Sequence, residues 1–347
     1  MSKRINFSCD YLKGGHERVL NRLVETNMVA SDTYGFDEFS ASAKEKIREA
    51  CGCSDAEVLF LPGGTQTNAT MLDALLSRCE GVICPDTGHI NVHESGAIEA
   101  YGHKVLALPN YCGKLTATQV DEYMTTFEND PTNDHMVQPR VVYISQSTEL
   151  GSVYKLQELE QLSNVCKKHN LLLYLDGARL CYALGSSEND ADLKDIARLC
   201  DAFYIGGTKC GALFGESAVI PDPELVKNLF VITKQHGAVM AKGRIIGIQF
   251  DELFKDGLYL ELGKHATECA ELVREAVEDS KFSLAYDSPT NQIFIESDNE
   301  RLEKLSESII FDFWESTVKD RSIIRVCTSW YTSQEELNFL CEVLRGS

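Results

Sequence analysis

Two short segments of the chain place a carboxylate and an amine directly after buried strands. The apolar run 171–175 ends in Asp176, and the run 203–205 leads through two glycines and Thr208 to Lys209. Short apolar runs stopped by glycine are typical of strands followed by sharp turns, where α/β proteins bind their ligands. A carboxylate for a ring nitrogen and a lysine for a Schiff base are what pyridoxal 5′-phosphate requires. We therefore predict a pyridoxal phosphate site.

A glycine-rich turn upstream could bind the phosphate of this cofactor. Gly64, Thr65 and Gln66 follow the apolar run 58–61 and precede the helical run 69–79. Free backbone amides at the start of a helix, together with threonine hydroxyls, bind anions well. The segment matches neither a Walker A loop nor a dinucleotide fingerprint. An ordinary strand-to-helix turn is the alternative interpretation.

Two histidines and a glutamate follow the apolar run 82–84. We predict that His89 stacks on the cofactor ring, because a flat imidazole packs well on a pyridine. His89, His93 and Glu94 could instead share one side of a helical turn and bind a metal, as in a metal-dependent hydrolase. Because a metal site would leave Asp176 and Lys209 unexplained, we expect no metal.

Two arginines are candidates for binding the carboxylate of an amino-acid substrate. Arg179 follows Asp176 by three residues, and Arg325 lies in the apolar run 323–326. A guanidinium binds a carboxylate through two parallel hydrogen bonds and so orients it. An inward Arg325 would need a partner, which a substrate would provide. Ordinary surface ion pairs are the alternative.

The elements that position these residues read as an α/β fold. Apolar runs predict seven strands of one wide, mostly parallel sheet, at 58–61, 82–84, 105–108, 141–145, 171–175, 202–205 and 218–220. Helical patterns alternate with these runs, which is typical of α/β layering. The segment from Ser42 to Glu45 predicts a helix that begins at Ser42 and ends at Gly52. Another helix is expected at 192–199, between the strands that carry Asp176 and Lys209.

The pattern changes in the last third of the chain and indicates a second domain. Helices predominate between residues 226 and 278, and short strands follow at 282–286, 292–295 and 323–326. We predict a large domain at 1–249, with an N-terminal arm of about residues 1–16, and a small C-terminal α/β domain at 250–347. At 347 residues, the chain is long enough for two domains.

Composition excludes several classes of function. A net charge of −20 would repel nucleic acids and anionic lipids. We find no uninterrupted apolar stretch of about 18 residues, so we expect no membrane span. The start of the chain has no apolar signal segment, and its 13 cysteines are an odd number for a disulfide framework. We expect reduced thiols and a cytoplasmic location.

Together these motifs resemble the threonine aldolase group of the β-eliminating lyases, within the aspartate aminotransferase fold (fold type I). The residues that carry the resemblance are Gly64-Thr65-Gln66-Thr67-Asn68, His89 with Glu94 and Gly96, Asp176-Gly177-Ala178-Arg179, Thr208-Lys209, and Ile324-Arg325-Val326 with Thr328. The resemblance implies that the matching residues bind the cofactor and hold the substrate carboxylate. It also implies aldol cleavage of a β-hydroxy-α-amino acid, of the L-threonine or L-allo-threonine type, to glycine and an aldehyde.

Two segments depart from the pattern of this family. A serine that helps the family hold the substrate carboxylate is replaced by Cys9, with Ser8 just before it, so both are candidate substrate contacts. Glu149 stands where the family carries a histidine that contacts the β-hydroxyl. Glu149 or His93 could act as the base. The replacement also leaves β-elimination or racemisation of another amino acid open as alternatives.

The resemblance further implies that a neighbouring subunit supplies a cation to the cofactor phosphate. Lys242 and Arg244 are both candidates for that cation. A site shared in this way predicts a homodimer or a homotetramer.

Overall fold

The computed structural model describes residues 4–318 and 320–346, so residues 1–3 of the predicted arm lie outside the described residues. Its strands are β1 (Ile5–Asn6), β2 (Glu57–Leu61), β3 (Glu80–Pro85), β4 (Lys104–Leu108), β5 (Gln138–Ser145), β6 (Leu172–Asp176), β7 (Ala202–Gly206), β8 (Glu216–Ile220), β9 (Ser283–Leu284), β10 (Gln292–Asp298), β11 (Ile309–Ile310), β12 (Asp312–Ser316) and β13 (Arg321–Cys327). Its α-helices are α1 (Glu17–Thr26), α2 (Glu38–Cys51), α3 (Gly64–Leu75), α4 (His89–Val92), α5 (Ala97–Ala100), α6 (Ala117–Asn129), α7 (Leu156–Lys168), α8 (Leu180–Gly185), α9 (Leu193–Leu199), α10 (Leu229–Gln235), α11 (Arg244–Leu253), α12 (Leu258–Glu278), α13 (Asn299–Ser306) and α14 (Gln334–Arg345).

The central sheet has seven strands in the order β2-β8-β7-β6-β5-β3-β4. Strand β8 runs antiparallel to both of its neighbours, and the other pairs are parallel. All seven predicted strands are confirmed. Every residue of β6, β7 and β8 is buried, because helices cover both faces of the sheet. The parallel strands β6 and β7 therefore deliver the residues that follow them to one edge of the sheet.

Helix α2 begins four residues earlier than the sequence predicts. Asp37 is its N-cap, and the Asp37 carboxylate accepts the backbone N–H of Ser40 at 2.8 Å. Ser42 is already inside the helix, and its Oγ donates to Oδ1 of Asp251 at 2.6 Å. The predicted start at Ser42 is therefore wrong, whereas the predicted end at Gly52, in the left-handed region with φ 65°, is confirmed.

A second, antiparallel sheet forms near the C-terminus in the order β12-β13-β10-β9. Apolar side chains of α12 and α14 pack against β10 and β13 in a core of their own. Strand β1 pairs in parallel with β11, so the N-terminal arm is tied to this C-terminal region. The division into domains at residue 249 stays a prediction.

Two further expectations concern the chain as a whole. In the part of the chain that the structure describes, no helix is both long and apolar enough to cross a membrane. All 13 cysteines are free thiols, and nine of them are buried. The reduced state of the thiols stays a prediction.

Candidate active site

Asp176 is the last residue of β6, and hydrogen bonds hold its buried carboxylate. Its Oδ2 accepts the hydroxyl of Tyr143 at 2.7 Å and the amide of Asn68 at 2.9 Å, while Oδ1 accepts the backbone N–H of Ala178 at 3.0 Å. Burial acts to raise the pKa of Asp176, but the electrostatic effect of His89 and the hydrogen bonds from Tyr143, Tyr204 and Asn68 hold the pKa below its ordinary value. The carboxylate is therefore ionised at neutral pH.

Asn68 connects Asp176 to the histidine that the sequence singles out. Its Nδ2 also donates to Oε1 of Glu94 at 2.8 Å, and the same oxygen lies 2.7 Å from Nδ1 of His89. The side chain of Glu94 is fully buried, and burial raises its pKa despite the bonds to His89 and Asn68. Because Glu94 binds one nitrogen of the imidazole, it fixes the orientation of the His89 ring.

Lys209 lies in the turn between β7 and β8, and buried groups fix the backbone of that turn. The hydroxyl of Thr208 accepts the backbone N–H of Gly215 at 3.0 Å, and the hydroxyl of Tyr182 donates to the carbonyl of Lys209 at 2.5 Å. Burial, and then the charge of Arg179, lower the pKa of Lys209, although nearby carboxylates oppose the shift. A lowered pKa increases the share of the neutral, nucleophilic amine.

The predicted residues surround two adjoining cavities, which share the side chains of His89, Glu149, Arg179 and Lys209. The inner cavity, of about 40 Å³, also contacts Gly64, Ser145, Ser147, Asp176, Ala178 and Tyr204. The outer cavity, of about 300 Å³, also contacts Tyr11, His93, Gln292, Asp312, Trp314 and Arg325. The structure thus brings together the predicted carboxylate, amine, imidazole and guanidinium groups.

Glu149 lies in the loop after β5, at the boundary of the two cavities. Its Oε1 accepts the hydroxyl of Ser145 at 3.0 Å, and its buried Oε2 has no partner among the described residues. Burial, and then the charge of Asp176, raise the pKa of Glu149 to about 7, while the charge of His89 opposes this rise. A carboxyl that exchanges its proton near neutral pH, with a free oxygen beside a cavity, is suited to act as a general base.

The guanidinium of Arg179 is bound to a carboxylate from the N-terminal arm. Nε and Nη2 of Arg179 donate to the two oxygens of Asp10 at 2.7 and 3.1 Å, and Asn291 donates to Asp10 at 2.9 Å. Burial acts to raise the pKa of Asp10, but the charges of Arg179 and Lys209 outweigh it and lower the pKa to about 2. Two of the three guanidinium nitrogens of Arg179 are thus committed to the chain itself.

Arg325 lies on β13, between β10 and β12, and its side chain lines the outer cavity. Nη1 donates to Gln292 at 3.0 Å, Nη2 donates to Asp312 at 2.8 Å, and the group lies 5.2 Å from the ring centre of Trp314. Its Nε is buried without a partner among the described residues. A carboxylate bound in the outer cavity would lie beside this guanidinium, a group that binds carboxylates.

Only part of the predicted phosphate-binding turn lines the inner cavity. Gly64 begins α3 and lines the inner cavity, whereas Thr65 is exposed and Gln66 donates to the carbonyl of His236 at 2.8 Å. A Cβ on Gly63 would meet nothing within 4 Å, so the amino end of α3 is open. This opening leaves space for an anion beside the helix.

Four other predicted residues line neither cavity in this chain. The half-buried Ser8 and Cys9 precede Asp10, and the Cys9 carbonyl accepts the hydroxyl of Tyr331 at 3.3 Å. Lys242 is exposed, and Arg244 donates to the carbonyl of Asn27 at 3.1 Å. Their predicted roles, with Lys242 and Arg244 acting on a neighbouring subunit, stay predictions.

His93 contributes an imidazole at the rim of the outer cavity. Its ring centre lies 5.6 Å from that of His89 and 6.3 Å from that of Trp314. Burial, and then the charge of His89, lower its pKa. Among the described residues, no group of three or more His, Cys, Asp and Glu side chains could hold a metal ion.

Comparison with known proteins decides the family. The sequence profile of the family "Beta-eliminating lyase" matches residues 6–300. This chain belongs to the β-eliminating lyases. The low specificity L-threonine aldolase of Pseudomonas aeruginosa is 31% identical over 86% of both chains. The structure of Leishmania major threonine aldolase is 42% identical and has a TM-score of 0.95 over 99% of both chains.

The fold of this β-eliminating lyase is also similar to that of an aminotransferase. Aspartate aminotransferase from Thermus thermophilus has a TM-score of 0.72 at 15% identity, over 99% of this chain and 91% of that one. At that identity, the likeness concerns the fold alone. The predicted fold type I architecture is confirmed.

Several side chains in the active site of this lyase were not predicted from the sequence. Tyr11 lies with its ring centre 5.9 Å from Nζ of Lys209, Trp314 lines the outer cavity, and Asp10 holds Arg179. Tyr11 and Asp10 belong to the arm, whose path across the site depends on remote pairing. Asn68 belongs to the segment 64–68, which resembles the family. That resemblance is the signal that could have indicated its role.

Proposed function

We propose that this chain is a pyridoxal phosphate-dependent aldolase, which cleaves a β-hydroxy-α-amino acid of the L-threonine or L-allo-threonine type to glycine and an aldehyde. The observation that carries the proposal is that Asp176, Lys209 and Glu149 line one inner cavity. The names of the Pseudomonas and Leishmania relatives support the same substrate class.

The residues around the inner cavity fit the cofactor. Asp176, an ionised and buried carboxylate, would pair with its ring nitrogen, and Lys209, an amine of lowered pKa, would bind its aldehyde. His89 would lie against the ring, and the open amino end of α3 at Gly64 would receive the phosphate. When bound, pyridoxal phosphate supplies a sink for the electron pair that Cα keeps when the Cα–Cβ bond breaks.

The other side chains orient the substrate and move its proton. Arg325, which lines the outer cavity, would bind the α-carboxylate and so fix which bond at Cα faces the cofactor. Oε2 of Glu149 would accept the proton of the β-hydroxyl as the aldehyde forms. A proton must then return to Cα to complete glycine, and Lys209, which lines both cavities, is available to deliver it.

Product analysis tests the reaction. Purified protein should release glycine and an aldehyde from threonine, allo-threonine or phenylserine. A 2-oxo acid and ammonia, 2-oxobutanoate from threonine or allo-threonine and phenylpyruvate from phenylserine, would instead indicate β-elimination, and loss of optical purity without cleavage would indicate racemisation. Absence of an aldehyde from all three amino acids would contradict the proposal.

The role of Glu149 can be tested separately through pH. Because a base must be unprotonated, kcat/KM should rise as pH increases through about 7, the pKa that burial gives Glu149. Glu149→Gln should lower kcat by about 100-fold or more and remove this limb of the profile. Retention of the limb in Glu149→Gln would assign the base to another group, with His93 the first candidate.

A chemical trap tests the cofactor independently of turnover. The purified protein should be yellow, and borohydride should attach the cofactor covalently to the peptide that contains Lys209. The variant Lys209→Ala should show no covalent attachment of the cofactor to the protein. A colourless protein that still cleaves threonine would contradict the assignment of the cofactor.

We also propose that the site is shared between two subunits in a cytoplasmic homo-oligomer. Large apolar side chains are exposed on and beside α1 and α10, namely Val24, Met28, Phe36, Phe230 and Val231. A second copy of this chain would cover them and could bring Lys242 or Arg244 to the phosphate. Free thiols throughout the chain suit a reducing compartment.

Mixing two inactive variants tests the sharing of the site. If each site draws on both subunits, dissociating and reassociating Lys209→Ala with a Lys242→Ala, Arg244→Ala double variant should restore activity. Sedimentation should show a dimer or tetramer. A fully active monomer would contradict the proposal.

A further inference from the structure

Glu216 is a buried carboxyl beneath the Lys209 turn that the proposed mechanism does not use. It is the first residue of β8, pairs in register with Gly206 of β7, and is 3% exposed. Its Oε2 accepts the backbone N–H of Gly207 at 2.8 Å, and the side chain of Thr208 also hydrogen-bonds to it. Glu216 thus binds the two residues that immediately precede Lys209.

The carboxyl of Glu216 is buried without a matching charge. Among the described residues it forms no ion pair within 4.0 Å. Burial raises the pKa of Glu216 to about 7, although the bonds from Thr208 and Gly207 and the charge of Lys209 act to lower it. The group therefore changes charge close to neutral pH, beside the amine that must react.

The neighbours of Glu216 on the other elements do not titrate in this range. Tyr204 of β7, Tyr174 of β6 and Tyr259 of α12 have pKa values raised well above 10, first by burial. Asp176 of β6 has a lowered pKa and stays ionised. Of these facing groups, Glu216 alone gains or loses charge near pH 7.

The charge of Glu216 acts on Lys209. Burial and the charge of Arg179 lower the pKa of the Lys209 amine, and the negative charges of Asp10, Asp176 and Glu216 oppose that lowering. An ionised Glu216 therefore favours a protonated Lys209, and a neutral Glu216 favours the free amine.

We propose that Glu216 is a positioning residue for Lys209, which holds the backbone of the turn through its hydrogen bond to Gly207 and places a buried carboxyl charge at the turn that carries the amine. The inference rests on the proposed function and deepens it. It assigns the control of Lys209 to the antiparallel strand β8, whose Glu216 lines neither cavity.

The variant Glu216→Gln separates charge from shape. A glutamine keeps an oxygen that can accept the N–H of Gly207 but cannot ionise. Ser217→Ala is the matched control, because Ser217 is the next residue of β8 and its buried hydroxyl has no partner among the described residues. Glu216→Asp keeps the charge on a shorter side chain.

The measurement is the absorbance of the purified, cofactor-loaded protein as a function of pH. In Glu216→Gln, the pH at which the cofactor band changes should fall, by an amount equal to an about three- to tenfold loss of proton affinity. Ser217→Ala should leave the midpoint unchanged, and Glu216→Asp should stay within about twofold of the wild type. A stably folded Glu216→Gln with the wild-type midpoint would overturn the proposal. If Glu216→Gln does not fold, a midpoint in Glu216→Asp displaced beyond that limit would overturn it.

A second readout keeps this test separate from the proposed function. Trace acetylation of Lys209 by acetic anhydride, quantified by mass spectrometry across pH, reports the proton affinity of the free amine without cofactor or substrate. If the wild-type protein is colourless, the proposed function fails, and the acetylation profiles of the same variants still decide the role of Glu216. Superimposable profiles for the wild type and Glu216→Gln would refute that role.

Discussion

The two arginines of the site differ in the carboxylate that each one binds. The side chains of Arg179 and Arg325 are similarly buried, at 11% and 12% exposed. Asp10, the partner of Arg179, is completely buried, whereas Asp312, the partner of Arg325, is 45% exposed. Both nitrogens that Arg179 gives to Asp10 approach one carboxylate, but Arg325 divides its donors between Asp312 and Gln292.

This difference indicates which arginine can exchange its partner. Separating Arg179 from Asp10 would leave two buried charges without compensation, which is costly. Arg325 lines the outer cavity and can exchange Asp312 for a substrate carboxylate without breaking a buried pair, because Asp312 can return to water. We infer that the Arg179–Asp10 pair fixes the arm against the site, and that Arg325 is the arginine that recognises the substrate.

The largest effect should come from breaking the buried Arg179–Asp10 pair. Asp10→Asn should lower the free energy of unfolding by about 3 to 5 kcal/mol, because it leaves the guanidinium of Arg179 buried and uncompensated. Urea unfolding would measure this loss, with Asp312→Asn as the matched control. Equal losses in the two variants would show that the two pairs do not differ as the structure indicates.

Removing Arg325 should affect the binding of substrate more than the stability of the fold. Arg325→Gln should raise KM for threonine about 30- to 100-fold, because a charge-assisted bond to the carboxylate is worth roughly 2 to 3 kcal/mol. Arg325→Lys should lie between that variant and the wild type, since it keeps the charge but loses the fork. Steady-state kinetics on all three proteins would check this. An unchanged KM would return Arg179 to consideration as the main carboxylate contact.

The contrast between the arginines also shows what the sequence could predict. Asp176 and Lys209 each follow a short apolar run, so local pattern alone predicts their place at the edge of the sheet. The partner of Arg179 could not be predicted, because Asp10 lies 169 residues away in a segment without periodicity. Arg325 and Asp312 are brought together by the pairing of β12 with β13, a strand pair that the sequence analysis did not predict.

Local ambiguity explains the one wrong boundary among these elements. Asp37 and Ser42 are both good N-cap residues, and the sequence does not show that Ser42 bonds to Asp251 of α11. The same dependence on remote contacts applies to the site. Glu149 is identifiable as a carboxylate in a loop, but its raised pKa follows from burial beside Asp176, which only the folded chain provides.

The dependence of stability on acid pH should further distinguish the Arg179–Asp10 pair from the Arg325–Asp312 pair. In the folded protein the pKa of Asp10 is lowered from its ordinary value of 3.8 to about 2. A lowered carboxyl pKa stabilises the fold above the unfolded value, and this contribution disappears as pH falls through the folded value. The stability advantage of the wild type over Asp10→Asn should therefore shrink by about 2 kcal/mol between pH 5 and pH 2. Chemical unfolding at several pH values would measure it, and a constant advantage would contradict an ionised Asp10.

The smallest effect should come from removing the carboxylate that binds Arg325. Asp312 competes with a substrate carboxylate for Nη2 of Arg325, which it binds at 2.8 Å. Asp312→Asn should therefore lower KM for threonine about two- to fivefold and change stability by less than about 1 kcal/mol, because a half-exposed pair contributes little. The matched control is Glu315→Gln, a solvent-exposed carboxylate on the same strand that lines neither cavity. If Asp312→Asn instead raised KM, the carboxylate would be orienting Arg325 for the substrate. The Arg325–Asp312 pair would then be a fixed pair, like Arg179–Asp10.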